Sequence, residues 1–334
     1  MRKIQYAVYR KETGSAGGKA KNDCYDILQE MGFAPSYKPS SKRFLRIIAQ
    51  FISILRLKKD DILIVQYPTI SDQVMGLFLK KIKKVDASIA IVHDIPALQG
   101  MGGEVKKQID ELNHFKYLIV HNEYMKKRLL EIGCKAKMIS LELFDYLHDA
   151  NHPLLERIND GTICFAGNLD KSRFLLKVGE IGSVNYNLYG INNTIDFSGI
   201  NNIKYSGLLN SNDIQYLLDA DFGLVWDGDS IDTCSDIYGE YLRINNPHKL
   251  SLYLAAGKPV ITWKQAAISD FVINNKVGYV VESLRELESI NLLENYEMLR
   301  NNALLIKRKI ADGEYLKKAV NAILKDIEET HFSV

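Results

Sequence analysis

The sequence predicts an α/β protein made of two Rossmann-like, doubly wound domains facing each other across a cleft. Three observations predict it. Short apolar runs alternate with longer helical patterns, the rhythm of parallel strands joined by helical crossovers. The rhythm plays twice, around a polar break at 145–161 that carries Pro153 and an Asp160-Gly161 turn. The 334 residues are too many for one small core and suit two domains of ordinary size. The expected division is 1–150, 158–312 and a helical tail, 313–334, that packs back on the first domain.

In the first half the strand-like runs are 4–10, 61–68, 88–94, 117–123 and 137–141. In the second they are 162–168, 185–191, 203–207, 222–229, 258–263 and 278–283. The central runs, such as DILIVQYP and SIAIVHD, are almost continuously apolar, as parallel strands covered on both faces must be. Segments 104–115, 123–132, 211–219 and 247–256 read as crossover helices. KRFLRIIAQFISILRLKK (42–59) is a helix with an apolar body and basic ends. It reads either as a core helix with solvated termini or as a surface resting on anionic lipid, with KKIKK (80–84) adding to the same face.

Composition narrows the function. Apolar residues make up 46% and charged residues 25%, with a net charge of +2, so nothing points to nucleic acid. Cys24, Cys134, Cys164 and Cys234 are scattered and read as reduced, buried thiols rather than a disulfide frame or zinc site. MRKIQYAVYRKETG does not fit a signal peptide, and no stretch approaches the ~18 apolar residues of a spanning helix. A cytoplasmic protein is expected, peripheral at most to the inner face of the membrane.

The run GEYLRINNPHKLSLYLAAGKPVITW (239–263) is the most informative. Asn246 is a good N-cap and Pro247 suits the first helical position. Gly257 can end the helix in a left-handed turn, with Pro259 just beyond. A helix N-terminus offers free N–H groups and a positive dipole end to an anion. Lys249, in that first turn, opposes the dipole unless an anion is present, so a diphosphate there would meet both. A surface helix with an ordinary lysine is the plainer reading.

Four other stretches carry candidates. In the glycine-rich turn TGSAGGKAKND (13–23), Gly17 and Gly18 would let backbone approach a ligand at a helix start, although the stretch matches neither GxGxxG nor a Walker loop. A flexible connection is its alternative. AGNLDKSRF (166–174) follows a strand at the edge where open α/β sheets bind ligands. Asn168 lies in it, and Lys171 and Arg173 could meet phosphate there, or be solvated loop charges. VHDIPALQGMGG (92–103) offers Asp94 and His93 as proton acceptors, beside a loop of three glycines. Alternatively Asp94 caps the next segment and His93 is packed. Strand neighbours face opposite ways, so one of the two should point into the cleft, and Asp94 is the expected base. Finally, WDGDS (226–230) contains an Asp-x-Asp that could hold Mg²⁺ or Mn²⁺ on a diphosphate. A lysine and a helix N-terminus follow in the same half and can neutralise phosphates without a cation. Asp227 and Asp229 therefore read as sugar or acceptor contacts, or turn formers, and no metal is expected.

The stretch DGDSIDTCSDIYGEYLRINNPHKLSLYLAAGKPVITW (227–263) resembles the donor-side domain of bacterial galactofuranosyltransferases that build O-antigen and capsule. IVHDIPALQGMGG (91–103) and ICFAGNLDKSRF (163–174) fit the same family. More distantly, FGLVW, HKLSLYLAAGKPVI and the His-Asp dipeptide are similar to the glucosyltransferase that extends glycans on serine-rich-repeat adhesins. The resemblance implies a GT-B fold and a UDP-linked donor. It places Lys249 on the diphosphate, with Lys171 or Arg173 helping, and Tyr205 at the nucleotide. It implies β-1,6-type inverting transfer of galactofuranose from UDP-galactofuranose, with one general base and no covalent intermediate. Many retaining GT-B enzymes carry two glutamates eight positions apart; here Glu240 is followed at that spacing by His248, so ribose recognition must come from elsewhere.

The function expected is hexose transfer to a glycan in cell-surface polysaccharide synthesis. The alternative is a UDP-glucose-dependent enzyme extending a protein-linked glycan on an adhesin. A non-catalytic GT-B-like partner is disfavoured by the Lys249 helix start and the glycine loop. The UDP-sugar is a substrate, and no cofactor is expected. Expected partners are that donor, a lipid-linked or protein-linked glycan, the membrane surface and, with oligomeric state open, further copies in a homo-oligomer.

Overall fold

The computed structural model describes residues 1–6, 16–38, 40, 42–68, 70–155 and 159–332. The chain divides into two compact units: Met1–Glu12, Ala20–Leu143 and Gly313–Val334 form the first, Thr13–Lys19 and Phe144–Asp312 the second.

In the first unit the order is β1 (Lys3–Tyr6), α1 (Ala16–Glu30), β2 (Ala34–Pro35), α2 (Arg43–Leu55), β3 (Ile62–Tyr67), α3 (Asp72–Ile82), β4 (Ala87–Val92), α4 (Val105–Leu112), β5 (Tyr117–Val120), α5 (Glu123–Glu131) and β6 (Lys137–Ser140). The sheet runs β2-β1-β3-β4-β5-β6, and its pairings are parallel. Every residue of β3 and β4 is buried, which is why their sequences are continuously apolar rather than alternating. β2 is the strand that sequence patterning misses. It is two residues long, sits at the edge and contains Pro35, which an edge strand tolerates. Strand order reverses between β1 and β3. Gly17 and Gly18 lie inside the first turn of α1 rather than in a turn before it. The start of that expected loop, residues 13–15, lies outside the described residues.

The second unit comprises β7 (Ile163–Asn168), β8 (Tyr186–Ile191), β9 (Ile203–Tyr205), α6 (Ile214–Leu217), β10 (Phe222–Val225), α7 (Ile237–Tyr241), α8 (His248–Ala255), β11 (Val260–Trp263), α9 (Ser269–Asn275), β12 (Gly278–Val281) and α10 (Tyr296–Ala311). Its parallel sheet runs β9-β8-β7-β10-β11-β12, the Rossmann order, and reverses between β7 and β10. α8 is locked beneath this point. Gly223 of β10 lies flat on the Tyr253 ring, where an added Cβ would come within 2.1 Å, and the Tyr253 hydroxyl accepts the Ala166 N–H at 2.9 Å.

The start of α8 corrects the sequence reading. The N-cap is Pro247, whose ψ of 135° is extended, and it has no side-chain cap bond. Asn246 is buried one residue outside the cap. Gly257 takes the left-handed conformation expected of it, with φ of 65°.

The chain closes on α11 (Glu314–Phe332), which belongs to the first unit. Asp326 accepts from the Tyr117 hydroxyl at 2.7 Å and the Lys137 ammonium at 2.6 Å, and Lys318 pairs with Glu142 at 2.6 Å. The four cysteines are buried free thiols. Among the described residues, no helix is long and apolar enough to cross a membrane.

Candidate functional site

In the second unit, the strand ends at the β7/β10 reversal are where an open α/β sheet takes a ligand. β10 leads through Trp226 into Asp227, and α8 delivers Lys249 from its first turn. The Lys249 ammonium lies 2.9 Å from Asp227 Oδ1 and 4.4 Å above the centroid of the Phe165 ring. Both partners of the pair are mostly shielded from solvent, with side chains 17% and 25% exposed. Gly167 makes room for the lysine: a Cβ there would lie 3.2 Å from Lys249 Cε. The anion that a lysine in a first turn calls for is thus supplied internally by a carboxylate.

The neighbouring strand ends are tied to this point. Gly190, at φ 135°, packs on the Gly167 carbonyl so closely that a Cβ would sit 1.7 Å from its oxygen. The Tyr205 hydroxyl donates to the Gly190 carbonyl at 3.0 Å, while its ring remains 44% exposed at the end of β9. Beyond β7, Asn168 is exposed and its carbonyl accepts from the Ser172 hydroxyl at 3.1 Å. The chain then turns through 3₁₀ segments that leave Lys171 and Arg173 exposed, Lys171 with its ammonium 5.2 Å from the Tyr238 ring. Asp170 binds the β8–β9 connection through Asn193 and Thr194, and those hydrogen bonds hold its carboxyl below the usual range. Asp229 is exposed, while Gly228, at φ 110°, faces Asp236, the N-cap of α7.

His248 stands at the position where a retaining enzyme of this fold would carry its second glutamate. Its ring stacks on Tyr146, with centroids 5.2 Å apart, and meets Phe144 edge-on. Burial pushes its pKa down to about 3, and the nearby Lys19 charge adds to this. Neutral and packed away, it offers no ribose ligand comparable to a carboxylate. Lys19, grouped with this unit, donates to the Leu147 carbonyl at 2.7 Å.

In the first unit the candidates follow β4. His93 is buried, and its Nε2–H donates to Gln66 Oε1 at 2.8 Å. The Gln66 amide donates in turn to the Lys21 carbonyl at 3.0 Å, and the His93 carbonyl accepts from His121 at 2.9 Å. Asp94 is partly covered and accepts from the Gln99 amide at 2.6 Å. Burial raises its pKa to about 6, against the opposing pull of the Lys21 charge and the Gln99 hydrogen bond. His121 is held neutral by burial, with a pKa near 4. Gly100, Gly102 and Gly103 all adopt positive φ in the following loop.

The structure thus brings Asp227, Lys249, Gly167 and Phe165 together, with Tyr205 linked to them through Gly190. Sequence reasoning missed Phe165 and Gly190. Their only signals were an aromatic two residues before Gly167 and a glycine ending a strand. Among the described residues, no group of three or more His, Cys, Asp or Glu side chains is arranged to hold a metal ion.

Residues 163–323 match the family model for the glucosyltransferase 3-like C-terminal domain, and residues 6–143 match its N-terminal domain. The chain is 30% identical over 327 residues to the beta-1,6-galactofuranosyltransferase WbbI of Escherichia coli K12, an alignment spanning 94% of this chain and 96% of that one. It is 26% identical over 325 residues to glucosyltransferase 3 of Streptococcus gordonii, spanning 92% and 93%. Among solved structures it is similar to Anabaena Alr3699/HepE in complex with UDP and glucose, with a TM-score of 0.58, 13% identity and 100% of both chains covered. That likeness shows the fold, which is GT-B.

Proposed function

The chain belongs to the glucosyltransferase 3-like family of glycosyltransferases, and on that premise we propose that it transfers galactofuranose from UDP-galactofuranose, with inversion, to a glycan of a cell-surface polysaccharide. The observation that carries the donor reading is the Lys249–Asp227 pair at the strand reversal of the second unit. A diphosphate replacing the Asp227 carboxylate would meet the same ammonium, with the α8 N-terminus beside it. Lys171 and Arg173, exposed beyond β7, are assigned to the phosphates, Asn168, Gly17, Gly18 and Tyr205 to the nucleotide, and Asp227 to the sugar. Asn246, buried just before the α8 cap, is assigned to the nucleotide-sugar as well. The choice of galactofuranose rests on the relative aligned over 94% of this chain.

In the step itself, the acceptor oxygen bonds to the anomeric carbon while the bond to the diphosphate oxygen breaks, and UDP leaves with the electron pair. The acceptor proton goes to Asp94, whose pKa near 6 leaves it ionised at neutral pH yet basic enough to take a proton as the bond forms. Charge on the leaving diphosphate is met by basic side chains, so the reaction is proposed to run without a metal ion. The four buried thiols support placing it in the reducing cytoplasm.

A second reading, glucose transfer from UDP-glucose to a protein-linked glycan, is favoured by the family's namesake and the streptococcal relative. A donor panel separates the two. Purified protein is given UDP-galactofuranose, UDP-galactose or UDP-glucose, with and without EDTA, and UDP release is followed. Release with UDP-galactofuranose alone, unchanged by EDTA, is expected. Release with UDP-glucose alone selects the second reading, and loss in EDTA with recovery in Mn²⁺ overturns metal independence.

A further inference from the structure

Helix α2 turns its apolar side outward. Phe44 is 72% exposed and Leu55 56%, and Leu45, Ile48, Phe51 and Ile52 are exposed as well. At 100° per residue these six positions fall on one face of a helix about 20 Å long. The inward face buries Ile54 together with two polar side chains, Gln50 and Ser53. Gln50 accepts the Ser71 N–H at 3.2 Å and donates to the Tyr37 hydroxyl at 3.1 Å, and Ser53 pairs with the Tyr6 hydroxyl. These bonds fix the helix in rotation, because turning its apolar stripe inward would strand buried polar atoms. An amphipathic helix normally hides its apolar stripe, and a contiguous exposed one marks an interaction surface. The core-helix reading of this segment is therefore corrected.

Charge says what covers the stripe. From Met31 to Lys59 the sequence has no Asp or Glu, but it has Lys38, Lys42, Arg43, Arg46, Arg56, Lys58 and Lys59, seven in all. α3 packs beside α2, and Lys80, Lys83 and Lys84 at its end are exposed. A second copy of the chain seated on this face would set like charge against like. An anionic bilayer accepts both features at once: apolar side chains at the headgroup–acyl boundary, and basic ones snorkelling to phosphates. We propose that α2 lies in the plane of an anionic membrane and holds the enzyme on it. This does not depend on which sugar the donor carries.

The test is co-sedimentation of the full chain with vesicles of phosphatidylcholine, with or without phosphatidylglycerol. The protein should pellet with the anionic vesicles only. Phe44→Ser with Phe51→Ser should weaken binding by about tenfold or more, since two apolar anchors are lost. Lys58→Glu with Lys59→Glu should also weaken it by about tenfold or more, since two basic contacts with the anionic surface become repulsive. Both double variants change exposed positions and should melt as the parent does, which separates lost docking from lost folding. No binding of the parent chain to anionic vesicles overturns the proposal, and so does equal binding by folded variants. A parent dimer that becomes monomeric in the Phe44/Phe51 variant without binding vesicles assigns the face to a second copy instead.

Discussion

The strand ends of the two sheets do opposite electrostatic work. In the second unit cations gather at them: Lys171 and Arg173 are exposed beyond β7, and α8 brings Lys249 to 2.9 Å from Asp227. In the first unit they present an acid whose pKa burial has lifted to about 6, beside the buried polar chain of His93, Gln66 and His121. An anion site needs charges a ligand can reach, since its affinity comes from pairing them. A proton acceptor needs a carboxylate removed from water, because desolvation brings its pKa toward the working pH. The same α/β architecture supplies both, according to how deeply the residue after each strand is set.

The comparison breaks first at Asp94. Asp94→Asn keeps the shape and removes the base, so turnover should fall by about 10²- to 10⁴-fold with UDP binding unchanged. A base must be unprotonated, so parental kcat/KM should rise with pH through about 6 and then level off. His93→Gln with the larger loss, donor binding intact, would move the base one residue back.

On the other side, Lys249→Ala should lower turnover by about ten- to a thousandfold, the range for one charge contact to a developing leaving group. Near-parental kinetics would remove Lys249 from the site. The two units also differ in how they use glycine. Gly190→Ala forces a side chain at φ 135° against the Gly167 carbonyl and should cost at least about 2 kcal/mol, read as a lower denaturant midpoint. Gly76→Ala, in open space on α3, should stabilise by about 0.5–1 kcal/mol. The smallest effect is at Asp227. Asp227→Asn should tighten UDP binding by about two- to fivefold, because the bound diphosphate no longer competes with an ion pair of about 0.5–1 kcal/mol. Weaker binding in calorimetry would mean that the carboxylate contacts the nucleotide rather than competing with it.

What the sequence determined by itself was whatever period and punctuation encode. Continuous apolar runs gave β3 and β4, because a strand covered on both faces has no polar side. The places of Asp94, Asn168 and Asp227 at or just beyond the carboxyl ends of β4, β7 and β10 were legible from the ends of those apolar runs, and Gly257 announced where α8 stops. Tertiary structure decided everything that depends on residues distant in the chain. Asp227 and Lys249 are 22 positions apart, and nothing local says they touch; the β7/β10 reversal and the packing of α8 bring them together. The cap of α8 falls on Pro247, and Asn246 is buried one residue before it, a placement that local propensity alone does not give. The inward side of α2 could not be read from an apolar helix with basic ends. It was chosen by hydroxyl and amide partners on other elements, Tyr6, Tyr37 and Ser71, since a buried polar group without a bond costs more than an exposed apolar one.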